Sequence, residues 1–243
     1  MKIVYNGKTE KIDINSLPMI GEGIEGTVYN FNGKALKLYK PSRYDYLQTP
    51  TKEKIEYLSK IKLHHFPFPE VPVFKDDELI GHIAPLITGD ISIGSLLDLP
   101  IPQLICRLKS IRDDINELSE KTVLLSECDF YRNFIYNGDF YFIDHDLYEV
   151  YLNQLDDIKF KKMIKKQNDF IINDFYVINF ILRKLYKKPQ LMYRKKLVSK
   201  GFILQNHLDE LTFEEFLNEL FIKDGIPTIH KYVKVYRKDI LKI

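Results

Sequence analysis

The 243-residue chain is 45% hydrophobic and 29% charged, which excludes a disordered tail and suits one large domain or two small lobes around a real core. Its formal charge of +2 at pH 7 demands neither nucleic acid nor an anionic membrane as a partner. Cys106 and Cys128, the only cysteines, form neither a CxxC pair nor a disulfide framework and so point to a reducing, cytoplasmic setting; the alternating N-terminus and the lack of a long apolar run predict no targeting or membrane-spanning segment.

Residues Lys2–Tyr5 and Lys11–Ile14 are predicted to form a hairpin around Asn6-Gly7. The stretch Leu17–Tyr29, LPMIGEGIEGTVY, is an apolar strand that enters three glycines, Gly21, Gly23 and Gly26, and leaves through Val28 and Tyr29. Glycines at this spacing let backbone N–H groups approach phosphate oxygens with no Cβ in the way. Dinucleotide-binding folds need a helix straight after the third glycine. Here the chain continues as strand, turns at Asn32-Gly33 and returns as Lys34–Tyr39, with Ala35 and Lys37 on one face and Leu36 and Leu38 on the other.

Thr49–Leu63 is predicted to be a helix, with Pro50 near its start and Ile55, Leu58 and Ile61 at helical spacing. Counting back four from Leu58 puts Lys54 on the inward side, with Glu53 and Glu56 to either side. Val71–Phe74 and Leu79–Leu86 read as strands about the turn KDDE. From Gln103 to Glu120 the residues Leu104, Leu108, Ile111, Ile115 and Leu118 mark an amphipathic helix.

The richest stretch is Asp129–Asp146, DFYRNFIYNGDFYFIDHD. Strands Phe134–Tyr136 and Phe140–Ile143 flank Asn137-Gly138, so a hairpin would bring Asn133 and Asp144 side by side, with Asp129 and Asp146 close by. Such an oxygen cluster suits Mg²⁺ with substrate phosphates in its remaining positions, although Asn and Asp also simply cap turns. Asn168–Leu185 is predicted to be a buried helix, and Thr212-Phe213-Glu214-Glu215 a capping box that opens a last helix through Phe221. Thirteen lysines and arginines lie between Lys159 and Lys200. An ordinary solvated face accounts for this stripe better than nucleic-acid binding does.

GEGIEGTV followed by Ala35-Leu36-Lys37, and Asn133 with Asp144 across the hairpin, resemble the protein-kinase-like superfamily in a short, divergent, atypical form of the bacterial Ser/Thr type. The resemblance covers about Leu17 to Leu185. It implies an α+β, two-lobed fold, with a small antiparallel β N-lobe over residues 1–90 and a mainly helical C-lobe over 91–243. It further implies an ATP- and Mg²⁺-dependent kinase that transfers a phosphoryl group to a protein hydroxyl, serine or threonine; a nucleotide-binding scaffold and a small-molecule kinase are the alternatives.

By that resemblance the backbone of Gly21, Gly23 and Gly26 covers the phosphates, Val28 and Ala35 sandwich adenine, and Lys37 holds the α and β phosphates. Glu53 pairs with Lys37 from the helix, Asn133 and Asp144 bind the metal, Asp129 is the catalytic base, and Asp174 anchors the catalytic-loop backbone. His82–Ile87 border the nucleotide. The chain also departs from the family. Asp129 precedes Asn133 by four residues instead of five, Glu127-Cys128 replace His-Arg, and Asp144-His145-Asp146 stand where Asp-Phe-Gly is usual. No serine or threonine lies between Leu147 and Val198 to be phosphorylated in an activation segment.

Overall fold

The computed structural model describes residues 2–23, 25–40, 50–89, 97–125, 134–176, 213–232 and 234. The chain forms two compact units, one of Met1–Gly89 with Tyr141–Val150, the other of Asp90–Phe140 with Tyr151–Ile243. A single boundary near residue 90 is therefore corrected: Tyr141–Val150 returns to the first unit. Hydrogen bonding and stacking tie it there, since the N–H of Phe142 donates to the carbonyl of His65 at 2.8 Å and its ring stacks on Phe66 at 5.0 Å.

The first unit is built on an antiparallel sheet of β1 (Lys2–Tyr5), β2 (Lys8–Lys11), β3 (Met19–Glu22), β4 (Gly26–Phe31), β5 (Lys34–Tyr39), β6 (Val71–Lys75) and β7 (Glu78–Pro85), in the order β2-β1-β6-β7-β5-β4-β3. Asn6-Gly7 and Asn32-Gly33 are two-residue turns with positive φ at both positions, and Asp76-Asp77 adopts the same signs without a glycine. So tight a turn makes the chain pair again at once, Tyr5 opposite Lys8, and β2 therefore ends at Lys11. The expected strand Lys11–Ile14 is instead the lead-in to a single 3₁₀ turn, Ile14–Ser16, capped by Asp13.

Period-two alternation assigns the two sheet faces. Leu36 and Ile83 are paired across β5 and β7 and pack with Ile3, Ile12, Phe31 and Val73 into a core. Ala35, Lys37 and Tyr39 therefore look the other way. Helix α1 (Lys52–Leu58) is shorter than its apolar spacing suggests. Thr51 caps it, its hydroxyl accepting the Lys54 N–H at 3.2 Å, and Ile55 and Leu58 are its buried residues. An aromatic cluster of Phe66, Phe68, Phe142, His145 and Tyr148 completes the unit. The short strand β11 (Glu149–Val150) ends it.

In the second unit, α2 (Ile101–Glu120) buries all five residues of the predicted stripe. After β8 (Val123–Leu124) come β9 (Phe134–Tyr136) and the start of β10 (Phe140–Phe142), with the rings of Phe134 and Phe140 6.2 Å apart across the Asn137-Gly138 turn. Helix α3 (Ile158–Tyr176) begins ahead of the expected Asn168, because the Asp157 carboxylate accepts the N–H groups of Lys159 and Phe160 and caps a first turn hidden in sequence by its lysines. Helix α4 (Phe213–Asp224) lies where the capping box predicts.

Arg112 ties α2 to both neighbours. Its guanidinium donates to Asp169 at 2.8 Å, to Asn173 at 2.9 Å and to Glu214 at 3.0 and 3.3 Å. Among the described residues, no helix is long and apolar enough to cross a membrane.

Candidate active site

Lys37 stands at the centre of the first unit's polar face. Cross-strand register puts Val28 of β4 and His82 of β7 directly beside it, and Ala84 beside Ala35. Directly paired residues share a face, so Val28, Ala35, Lys37 and His82 line one surface. Lys37 is nine-tenths buried, and its Nζ lies 2.6 Å from Asp144 Oδ1, 2.6 Å from Asp146 Oδ2 and 3.6 Å from Glu25 Oε2.

The two aspartates are aimed by the residue between them. His145 is wedged between Phe68, at 4.6 Å, and Tyr148, at 5.1 Å, and its Nε2 is 2.7 Å from the carbonyl of Phe142. A carbonyl only accepts, so that nitrogen carries the proton. With His145 anchored on the aromatic side, its neighbours reach the amine. Asp144 takes up φ +65°, a left-handed conformation uncommon for a residue with a side chain. Lys54, from α1, donates to the main-chain oxygen of Asp146.

Each of the three glycines has its own surroundings. A Cβ at Gly26 would lie 2.6 Å from the carbonyl oxygen of Leu38, so this position is glycine for internal packing. A Cβ at Gly21 meets open space, and one at Gly23 only a distant carbonyl. The loop is pinned by Gly23 N–H to Gly26 O at 2.9 Å and Lys40 N–H to Glu25 O at 2.8 Å, and the Lys40 amine reaches Glu22. The backbone stays open at the first two glycines.

The electrostatics are lopsided. Burial alone would lower the pKa of Lys37, but Asp146 and Asp144 outweigh it and hold the amine above its ordinary range, charged at any working pH. Burial, reinforced by Asp144, pushes the Glu25 carboxyl up against the opposing pull of Lys37. Burial and the same carboxylates raise Tyr39, whose hydroxyl shares a 2.7 Å hydrogen bond with His82 Nδ1. Burial, aided for His82 by Lys37, drives His82 and His145 down to about 3, so both are neutral.

The carboxylates of Glu25, Asp144 and Asp146 lie within 4.8 Å of one another, and Asp146 Oδ2 is buried with no directional hydrogen bond. Three carboxylates face two amines, Lys37 and Lys54. The set is made of hard oxygens and is one charge short of neutral, so its more open members, Asp144 and Glu25, suit a small divalent cation.

Of the residues picked from sequence, the fold brings Lys37 and Asp144 together and places Val28 and Ala35 on their face. Glu53 is corrected: it lies exposed in the first turn of α1, where its own backbone N–H and Thr51 hold its carboxyl below the usual range, and it is not among the ion-pair partners of Lys37. Glu56 is exposed too and pairs with Lys52. Asp129 and Asn133 lie outside the described residues, as does the side chain of Asp174.

Sequence reasoning missed several things here. Glu25 and Tyr39 gave no sequence signal, and His82, expected only at the nucleotide's border, was not placed beside Lys37, because the strand register that does so is long-range. The role of Lys54 was legible in its inward register but was passed over for an acid. In the second unit, Asn168 also went unnoticed: this fully buried amide accepts the Leu125 N–H at 2.8 Å and donates to the Val123 carbonyl at 2.9 Å and to Ser119 at 3.0 Å.

No family model and no curated protein matches the chain. Solved structures do match. The Lpg2603 kinase of Legionella pneumophila, solved with IP6 bound, aligns with a TM-score of 0.47 and 16% identity over 89% of each chain. The PknI kinase domain of Mycobacterium tuberculosis aligns with a TM-score of 0.41 and 16% identity, over 52% of this chain and 56% of that one. The chain itself combines an antiparallel-sheet unit with a helical one, a mixed α+β make-up.

Proposed function

We propose that the chain is an ATP- and Mg²⁺-dependent phosphotransferase that moves the γ-phosphoryl group to a hydroxyl, with a protein serine or threonine as acceptor. The observation that carries this reading is the amine of Lys37, buried on the face of Val28 and Ala35 and 2.6 Å from Asp144 Oδ1. A buried cation next to a carboxylate is what a polyphosphate with its metal needs.

In this reading Val28 and Ala35 flank the base, the open backbone at Gly21 and Gly23 covers the phosphates, and Lys37 binds their oxygens. Asp144, with Asn133, would hold Mg²⁺, which when bound neutralises charge on the phosphate oxygens. The side chain of Asp144 is 32% exposed and meets Lys37 through Oδ1, so a hydrated ion has access to it. Asp129 accepts the proton of the acceptor hydroxyl. A positioned base of this kind adds about 10² to 10⁴ in rate.

The replacement of His-Arg by Glu127-Cys128 favours a second reading, a nucleotide-binding scaffold without turnover. Incubation with Mg-ATP labelled in its γ-phosphate separates the two. Label transferred to protein and lost in Asp144→Ala supports the phosphotransferase; nucleotide binding without transfer or hydrolysis supports the scaffold.

A further inference from the structure

We infer that Asp146 is the permanent partner of Lys37, in place of a helix glutamate, and that Lys54 locks α1 to that pair through the Asp146 carbonyl. The inference rests on the nucleotide reading of the same site and assigns different tasks to the two aspartates.

Burial separates them. The Asp146 side chain is 5% exposed, with Oδ2 2.6 Å from the Lys37 amine and Oδ1 4.0 Å from His82 Nδ1. Mg²⁺ sheds water reluctantly and usually keeps several waters, so a carboxylate this enclosed is a poor ligand for it and a good fixed counter-charge. The more open Asp144 can exchange the amine for a cation. When nucleotide arrives, Asp144 changes partner and Asp146 does not, so the amine stays aimed.

Helix α1 cannot supply the counter-charge. At 3.6 residues per turn, Glu53 and Glu56 stand about 100° and 200° around the helix from Lys54. The inward position therefore carries a cation, with Glu53 and Glu56 both exposed. Lys54 is half-buried, and its amine meets the main-chain oxygen next to the carboxylate that holds Lys37. The contact joins helix, aspartate segment and strand lysine in a chain that needs no helix rotation to close. Asp146 and Lys54 are thus positioning residues, acting on phosphate through Lys37.

Two measurements on the full chain test this. In a double-mutant cycle on the nucleotide-free protein, Lys37→Met lowers the melting temperature by roughly 6–15 °C, the shift an unpaired buried charge brings in a chain this size. Adding Asp146→Asn lowers it no further; additive losses would overturn the pairing. This cycle needs no ligand, so a wild-type protein that ignores Mg-ATP counts against the proposed function and not against the pair.

In the second measurement, Asp146→Gly weakens Mg-ATP binding about tenfold or more, the loss of a charge-assisted contact. Adding Lys54→Glu to that variant moves the acid onto the helix and restores most of the affinity. Asp146→Asn stands in should the glycine variant not fold. Wild-type affinity in either Asp146 variant, or a swap no tighter than Asp146→Gly alone, overturns the inference.

Discussion

Each unit gathers acids around a cation, and the two gatherings differ in how far they are satisfied. Around Arg112 the planar guanidinium meets Asp169, Asn173 and both oxygens of Glu214 through directed hydrogen bonds. Around Lys37 three carboxylates compete for one amine, and Asp146 Oδ2 lies close to it without a directional bond. A fork that fills its donors fastens three helices. An amine with more acid than it can serve leaves charge for a ligand to neutralise. The difference teaches that counting ion pairs does not locate a site; what locates it is the charge they leave unbalanced.

The largest expected effect separates the clusters by activity. Asp144→Ala abolishes phosphotransfer and leaves the fold intact, read by radiolabel transfer beside a melting curve; full activity in that variant refutes the assignment. Arg112→Ala does the converse, costing about 3–5 kcal/mol by stranding the buried Glu214 carboxylate, as read by urea unfolding.

Next come the glycines. Gly26→Ala drives a Cβ against the Leu38 carbonyl and costs roughly 1–3 kcal/mol. Gly21→Ala and Gly23→Ala leave stability within about 0.5 kcal/mol and weaken Mg-ATP binding instead. Equal destabilisation by all three would remove the distinction between packing and ligand glycines. Asn168→Ala strands the Leu125 N–H and costs about 1–3 kcal/mol with no change in nucleotide affinity.

The last effect is in pH. His82 is held at about 3 in the fold against an ordinary 6.5, so below pH 6.5 the unfolded chain binds a proton that the folded chain refuses. The stability this group contributes is intact above pH 6.5 and is lost progressively as the pH drops towards 3. His82→Gln flattens that limb in an acid titration followed by circular dichroism. An unchanged limb contradicts the neutral assignment.

Much of this was legible from sequence. The Asn-Gly turns, the alternation Ala35/Lys37 against Leu36/Leu38 and the stripe of α2 are local patterns, and local sterics impose them. That Lys37 and Asp144 lie near each other followed from a resemblance spanning both residues. What sequence could not give was long-range register: His82 opposite Lys37, Glu25 folded towards the amine, and Asn168 reaching Leu125. The Glu53 error has another cause. Register gave Lys54, and the expectation of an acid overrode it.

The central claim is that the unbalanced charge around Lys37 is a seat for a magnesium–nucleotide complex. Thermal melting of the full chain with ATP, with and without Mg²⁺, tests it most directly. At one hundred times the dissociation constant the ligand adds about 2.7 kcal/mol, or roughly 5–10 °C, a gain that requires the metal and disappears in Asp144→Ala. An unmoved melting point at millimolar Mg-ATP, or an equal shift in Asp144→Ala, contradicts the account.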